Sequence, residues 1–216
     1  MIRKLSQTLL PAFIALAATQ GFAGDLHPPQ GSVKIKSIDP KGSGCPSLDS
    51  VSTNISDDGR AFTVSFSEFA AAIGPGLSPS DARKNCALVA TLQVPAGWQF
   101  SIATFNYRGY MQLDHGIKAS HATQYWFQGE SDTGYVKAEV SGPAAKDFVY
   151  SDKVGLSSVY LPNRWSPCNV QRALIINPSV SLRKNPGASA NAQGFIANDT
   201  VDGEVDNVFG LSWRRC

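Results

Sequence analysis

The sequence predicts an all-β fold, a two-sheet antiparallel sandwich or jelly roll of roughly ten short strands held by two disulfides. Three observations indicate this class. Apolar and polar residues alternate with period two along much of the chain. Clusters of Gly, Pro, Asn and Asp separate the alternating runs. Four cysteines follow an apolar leader that is typical of exported proteins.

The alternating runs identify the side chains that face the core. Phe62, Val64 and Phe66 share one face of a predicted strand, and residues 88–94 and 205–213 repeat the pattern. Such alternation is typical of strands with one buried face. These runs therefore predict the inner surfaces of the two sheets.

The alternation changes phase within one run. Trp98 and Ile102 share a phase, whereas Phe105 and Tyr107 have the opposite one. One extra residue in a strand produces this change, because it turns every later side chain to the other face. The pattern predicts a β-bulge near Ala103, with Trp98 in the core.

Turn sequences separate the predicted strands. Asp57-Asp58-Gly59 lies between two alternating runs and predicts a hairpin. Residues 70–85 predict a long connection that crosses between the sheets, with Ser80 capping a short helical turn.

Residues 1–23 are predicted to be a cleaved secretory signal peptide. Arg3 and Lys4 begin it, an apolar run follows at residues 9–18, and Gly21-Phe22-Ala23 provides small residues around the cleavage point. The run is too short to cross a bilayer, which takes about 20 residues. Residues 24–31 are expected to form a loose N-terminal segment, and residues 32–216 a single β-sandwich domain.

The charge balance changes when the leader is removed. The whole chain has 19 Lys and Arg against 17 Asp and Glu, and the leader holds two of the basic residues and no acidic one. The remaining chain is formally neutral. This balance indicates no nucleic-acid partner and no anionic-membrane surface, and no second apolar run predicts membrane insertion.

The four cysteines Cys45, Cys86, Cys168 and Cys216 predict two disulfides in an oxidising compartment. Their spacing differs from the paired spacing of zinc sites, so we expect no metal and no cofactor. Three pairings are open. If Cys168 opens a strand and Cys216 ends its antiparallel neighbour, Cys168–Cys216 is favoured and Cys45–Cys86 remains.

Several strings resemble a known family, the DUF4360 family of secreted proteins from fungi and bacteria. The resemblance covers residues 32–216 in order and depends on these strings: Gly42-Ser43-Gly44-Cys45-Pro46, Gly74-Pro75-Gly76, Arg83-Lys84-Asn85-Cys86, Val94-Pro95-Ala96-Gly97-Trp98, Asn106-Tyr107-Arg108-Gly109-Tyr110, Ser166-Pro167-Cys168 and Leu211-Ser212-Trp213-Arg214-Arg215-Cys216. It implies a secreted, cysteine-bearing, β-rich protein. For members in plant-associated fungi it implies virulence effectors that act on host proteins. It implies no catalytic residue.

Candidate catalytic groups are few. The chain has no G-x-S-x-G nucleophile elbow and no H-E-x-x-H zinc motif. Glycosidases need two carboxyl groups flanking the scissile bond. Glu68 is the best candidate acid because Phe66 and Phe69 would bury it, and the other mid-chain carboxylates are Glu130, Asp132 and Glu139.

The histidines and one acidic stretch are weaker candidates for chemistry. His27 lies in the N-terminal segment, His115 in a predicted turn and His121 at the start of a strand. The acidic stretch at residues 199–206 has oxygen ligands of the kind that calcium prefers, but its spacing is not that of an EF-hand. A solvated hairpin turn is the preferred interpretation of that stretch.

Binding needs only an exposed aromatic and cationic surface, and six residues are candidates for it: Tyr107, Arg108, Tyr110, Tyr125, Trp126 and Trp165. Two sequons, at Asn54 and Asn198, predict a glycoprotein if the source is eukaryotic.

Three functions are compatible with these observations. The favoured one is a secreted, non-catalytic recognition protein that binds an extracellular protein or a wall glycan; in a plant-associated fungus this becomes a virulence effector that neutralises a host defence protein. The first alternative is a small extracellular hydrolase of glycosidase type using Glu68. The second is a structural cell-wall or coat protein.

Overall fold

The computed structural model describes residues 27–130, 134–153, 165–198 and 207–216. These residues form thirteen strands and one 3₁₀ turn at Leu48–Ser50. In chain order the strands are β1 (Lys34–Lys41), β2 (Val51–Ile55), β3 (Ala61–Phe66), β4 (Ala70–Ile73), β5 (Arg83–Asn85), β6 (Ala87–Gln93), β7 (Trp98–Leu113), β8 (Ile117–Phe127), β9 (Gly134–Ser141), β10 (Ala144–Lys153), β11 (Leu174–Lys184), β12 (Gly194–Ala197) and β13 (Asn207–Arg215).

The strands form two antiparallel sheets. The six-stranded sheet has the order β1-β6-β11-β8-β9, and β5 also pairs with β11. The seven-stranded sheet has the order β2-β3-β13-β7-β12-β4, and β10 also pairs with β7. The predicted two-sheet fold is confirmed. The strand number exceeds the predicted ten because short strands such as β4, β5 and β12 carry too few residues for a clear alternation.

The core is aromatic and lies between the sheets. Phe105 on β7 contacts Tyr125 on β8, with ring centroids 5.0 Å apart, so the pair joins the two sheets. Phe209 on β13 packs edge-on against Phe105 at 5.5 Å. Trp98 and Trp213 are 3% and 8% exposed, as the alternation predicts.

The β-bulge is where the phase change predicts it. Leu211 on β13 pairs with Ile102, whereas the preceding Gly210 pairs with Thr104, so Ala103 is the extra residue. The bulge allows Ile102 and Phe105 to point into the same core. The predicted hairpin at residues 57–59 is also present, between β2 and β3.

The chain crosses between the sheets as expected, because β4 belongs to the seven-stranded sheet and β5 to the six-stranded one. The connection is shorter than predicted and spans residues 74–82, since the two ends of the predicted stretch are the strands β4 and β5. The predicted helical turn capped by Ser80 is replaced by a tight turn. The Asp81 carboxylate accepts hydrogen bonds from the backbone N–H and hydroxyl of Ser78, and the Asp81 carbonyl accepts from the backbone N–H of Ala72. These bonds direct the chain into β5.

Two disulfides are present, joining Cys45 to Cys86 and Cys168 to Cys216. The first closes the end of the β1–β6 ladder, where Lys41 pairs with Ala87. Cys168 does not open a strand as expected but lies in the loop before β11. Each bridge is expected to stabilise the fold by about 2–4 kcal/mol through restriction of the unfolded chain.

The described part of the N-terminal segment is attached to the sandwich rather than loose. The backbone N–H of Gly31 donates to the Asp57 carbonyl at 2.8 Å, Pro28 is buried, and Val33 is 5% exposed. Residues 1–23, the predicted signal peptide, lie outside the described residues. Among the described residues, no helix has the length and apolarity to cross a membrane.

Candidate functional site

Two of the six predicted binding residues lie in the core. Tyr107 is 1% exposed and Tyr125 is 6% exposed. The Tyr107 ring stacks on Phe105 and lies 4.3 Å from the ring of His121. Both tyrosines occupy inward positions of their strands, so neither is available to a ligand on the surface. This corrects the expectation that Tyr107 and Tyr125 belong to an exposed binding surface.

The other four predicted binding residues lie on separate surfaces. Arg108 and Tyr110 point outward from the seven-stranded sheet, at positions opposite Val149 and Asp147 of β10. Trp126 points outward from the six-stranded sheet. Trp165 packs under Arg214, whose guanidinium carbon is 4.4 Å from the ring centroid. The structure therefore does not bring the six together.

The predicted catalytic acids are also separated. Glu68 is exposed in the turn between β3 and β4, because Phe66 and Phe69 both point into the core and leave the turn in solvent. The burial expected for Glu68 is absent. Glu130 follows β8, Glu139 lies on β9, and Asp132 lies outside the described residues.

His121 is buried in the core beside the Asn198 side chain. Burial lowers its pKa from 6.5 to about 4, and the nearby Asn198 side chain acts in the opposite direction. No atom pair between these side chains has hydrogen-bond geometry: Nε2 of His121 and both amide atoms of Asn198 are buried without a partner among the described residues. His121 is thus a neutral core residue at physiological pH.

The remaining histidines and the acidic stretch form no site in the described part. His27 is half-buried and His115 is exposed. Across the described ranges, no three His, Cys, Asp or Glu side chains are arranged to hold a metal ion. Residues 199–206 lie outside those ranges.

The two sequons differ in access. Asn54 on β2 is exposed. Asn198 is 1% exposed, so its side chain is not accessible to a modifying enzyme in this fold. The expectation of a glycan therefore remains for Asn54 and is corrected for Asn198.

A depression lined by four strands lies on the outer face of the six-stranded sheet. We call it the polar groove, with a volume of about 530 Å³. Four strands line it with these residues: Arg83 and Asn85 of β5; Asn177, Ser179, Ser181 and Arg183 of β11; Lys118, Ser120, Ala122 and Gln124 of β8; and Tyr135, Lys137 and Glu139 of β9.

The strand register explains the shape of the polar groove. Side chains that pair across the sheet form successive rows, Arg183–Lys118, then Arg83–Ser181–Ser120–Glu139, then Asn85–Ser179–Ala122–Lys137, then Asn177–Gln124–Tyr135. Small side chains occupy the middle positions on β11 and β8, and longer ones occupy β5 and β9. The result is a floor of Ser and Ala in the two middle rows, between two taller walls, and the four rows together extend along the strands for about 20 Å.

One wall of the groove contains a linked set of charges. The Glu139 carboxylate contacts Nζ of Lys118 at 2.6 Å and Nζ of Lys137 at 2.9 Å. Hydrogen bonds from Lys118 and then Lys137 lower the pKa of Glu139 from 4.5 to about 2. The same contact with Glu139 raises the pKa of Lys137. Glu139 is therefore ionised, and it neutralises part of the lysine charge.

The other charged residues of the groove have no such partner. Arg83 and Arg183 are both exposed and make no ion pair with any described residue. The described lining of the groove thus contains four basic side chains and one carboxylate. The aromatic side chain of the lining, Tyr135, lies at the end of the groove that is furthest from Arg183. Trp126 lies two residues beyond Gln124 on the same face of β8.

A second depression, of about 350 Å³, lies next to the Cys168–Cys216 bridge. Trp98 and Phe100 form its floor but are almost fully buried. Lys36 and Gln171 on its rim are hydrogen-bonded to each other at 2.9 Å. Lys36 and Gln171 are already paired with each other, and the rings of Trp98 and Phe100 are covered. This depression therefore offers less to a ligand than the polar groove.

Of the residues that line the polar groove, only Glu139 was predicted from the sequence to be a functional candidate, and only as a catalytic acid. A signal existed, since Lys118, Ser120 and Gln124 alternate with buried residues on β8, as Ser179, Ser181 and Arg183 do on β11. Each alternation predicts an outer polar face. Neither alternation shows that β8 and β11 are neighbours.

The fold and the comparisons define a secreted β-sandwich protein with two disulfides. The chain belongs to the family described as "Domain of unknown function (DUF4360)", which matches residues 31–216. This confirms the family resemblance of the sequence strings.

The chain is similar to the following relative and solved structure. An "Uncharacterized secreted protein" of Arthroderma benhamiae is 34% identical over 193 residues, covering 89% of this chain and 76% of the relative. The structure described as "Structure of TmCBM61 in complex with beta-1,4-galactotriose" is 14% identical, covers 84% of this chain and 90% of its own, and has a TM-score of 0.27. A likeness at that score carries no argument about function.

Proposed function

We propose that the protein is a secreted, non-catalytic recognition protein that binds a wall glycan chain in the polar groove. The observation that carries the proposal is the row structure of the six-stranded sheet, in which a floor of small residues lies between walls of longer polar ones. An extended, open groove fits a linear polymer better than a compact small molecule, which prefers an enclosed apolar pocket.

The chemistry of the lining supports a carbohydrate ligand. Ser120, Ser181 and Gln124 present hydroxyl and amide groups that both donate and accept hydrogen bonds, as sugar hydroxyls do. Tyr135, at one end of the groove, offers an aromatic ring with a polar tip. Apart from Tyr135, the described lining has no large apolar or aromatic side chain that could form the apolar centre of a protein–protein interface, which favours a glycan over a protein.

Among the described residues that line it, the groove also lacks the pair of carboxyl groups that glycoside hydrolysis needs. Glu139 is the carboxylate among the groove residues, and its pKa of about 2 makes it unsuitable as a general acid. Glu68, the acid favoured from the sequence, lies in a turn of the other sheet. These placements support binding without hydrolysis.

The test is binding of the purified protein to a glycan array and to insoluble wall polysaccharides, using wild type and Ala122→Phe. The Phe side chain would fill the floor of the groove without touching the core, since Ala122 points outward between Ser120 and Gln124. We expect about a hundredfold loss of affinity. Ala145→Phe, at an exposed position of β10 on the other sheet, is the matched control and is expected to bind as wild type.

Equal binding by wild type and Ala122→Phe would place the glycan elsewhere and overturn the proposal. So would silence on every glycan together with capture of one extracellular protein through the same groove.

A further inference from the structure

We propose that the ligand of the polar groove is an acidic glycan, a polymer of uronate sugars whose carboxylates bind to Arg83 and Arg183. This inference rests on the proposed function and names its substrate class. Its basis is the arrangement of positive charge in the groove.

The cations at one end of the groove are closer together than protein stability favours. Arg183 on β11 lies directly opposite Lys118 on β8, and like charges at such paired positions repel. Arg83 pairs with Ser181, which places it diagonal to Arg183, at a separation of about 7–8 Å between backbones. Three basic side chains therefore converge on one face within two rows.

Only part of this charge is compensated within the described residues. Glu139 contacts Lys118 and Lys137, and its single negative charge is shared between them. Arg83 and Arg183 have no carboxylate partner in the described part of the chain. The groove keeps an excess of three positive charges on a chain whose net charge, without the predicted leader, is zero. A cluster of this kind is stabilised when an anion binds to it.

The residue types specify which anion fits. Arginine presents a planar fork of N–H donors that matches a carboxylate in two parallel hydrogen bonds. The serine floor lies beside the arginines and suits the hydroxyls that a uronate carries next to its carboxylate, and the Gln124 amide is available to sugar hydroxyls two rows further along the groove. An acidic polypeptide would supply carboxylates too, but its apolar side chains have no matching surface on this floor.

The experiment compares one sugar backbone with and without charge. Wild-type protein is titrated by calorimetry with oligogalacturonate and with the same oligomer fully methyl-esterified, at low and at high sodium chloride. We expect oligogalacturonate to bind at least tenfold more tightly than its ester, and high salt to reduce that preference.

The arginines are tested by the double substitution Arg83→Gln/Arg183→Gln. We expect it to weaken oligogalacturonate binding by about tenfold or more. The control is Arg60→Gln/Lys146→Gln, which removes two exposed cations of the seven-stranded sheet, one in the turn before β3 and one on β10, and changes the total charge equally. Its expected effect is less than about twofold, since screening removes most of the influence of distant charges.

The outcomes separate this inference from the proposed function. Equal binding of acid and ester, blocked by Ala122→Phe, would overturn the acidic ligand and keep the glycan groove. Binding of neither oligomer, nor of any array glycan, would overturn both. Equal losses in the two double variants, or binding of poly-L-glutamate as tightly as oligogalacturonate, would show attraction to any polyanion and overturn the uronate assignment.

Discussion

The outer faces of the two sheets differ although their inner faces are alike. Both inner faces are rows of apolar side chains, and Phe105 and Tyr125 join them in one core. The outer face of the six-stranded sheet is the polar groove, with small residues between charged walls. The outer face of the seven-stranded sheet carries exposed apolar side chains instead, Val149 at 59% and Phe195 at 37% exposure.

The comparison shows that alternation alone does not decide what an outer face does. Tyr107 and Tyr110 are three residues apart on β7, so alternation places one in the core and the other on the surface, but it assigns no role to the outer one. On the six-stranded sheet the outer residues become a groove only because small ones are aligned across β8 and β11. Function on such a fold depends on register, while stability depends on the inner rows.

The first prediction contrasts the two faces of β7 and has the largest expected effect. Tyr107→Ala removes a ring that packs against Phe105, Phe209 and His121, and we expect it to cost about 3–5 kcal/mol of unfolding free energy. Tyr110→Ala removes an outward ring and is expected to cost less than about 1 kcal/mol. Urea unfolding of both variants measures the difference.

If Tyr107→Ala does not fold, Tyr107→Leu keeps part of the buried volume and gives a measurable loss. Equal losses for the inward and outward tyrosines would contradict the assignment of their faces.

The second prediction concerns the charge state of the inner face. Because His121 has a pKa of about 4 in the folded protein and 6.5 when solvated, the unfolded chain binds more protons between these values. The part of the unfolding free energy that depends on neutral His121 is therefore fully present above pH 6.5. It is lost as the pH falls through 4, by up to about 3 kcal/mol.

Other acid-sensitive groups also contribute to acid unfolding, so the measurement is a difference between two proteins. His121→Leu removes the titrating group from the core. Its loss of unfolding free energy between pH 7 and pH 4 is expected to be smaller than that of wild type by about the same 3 kcal/mol. Identical pH profiles for the two proteins would show that His121 does not stay neutral in the core.

The inner faces could be predicted from the sequence because burial leaves a local pattern. Phe62, Val64 and Phe66 alternate strictly, and the phase change between Ile102 and Phe105 located the bulge at Ala103. Each of these signals is contained in a few consecutive residues, so no knowledge of strand neighbours is needed.

The polar groove could not be predicted in the same way. Ser179 and Ala122 are 57 residues apart in the chain, and Arg83 pairs with Ser181 across a still longer interval. No local pattern encodes these pairings, because register is decided by packing of the whole sheet. The net charge did not predict the groove either. A chain with zero net charge still has a positive surface wherever its basic residues are concentrated.

The last prediction tests the one carboxylate of the groove and has the smallest expected effect. Glu139 has its pKa lowered from 4.5 to about 2 by Lys118 and Lys137, so its contribution to stability is present above pH 4.5 and lost as the pH falls through 2. Glu139→Gln is therefore expected to flatten the stability profile in that range. The same substitution frees both lysines, and we expect oligogalacturonate to bind about two- to fivefold more tightly. A carboxyl titration by NMR measures the first effect and calorimetry the second. Weaker binding by Glu139→Gln would mean that the carboxylate accepts hydrogen bonds from the ligand, and the β9 side of the groove would then recognise sugar hydroxyls rather than add to the attraction for uronate carboxylates.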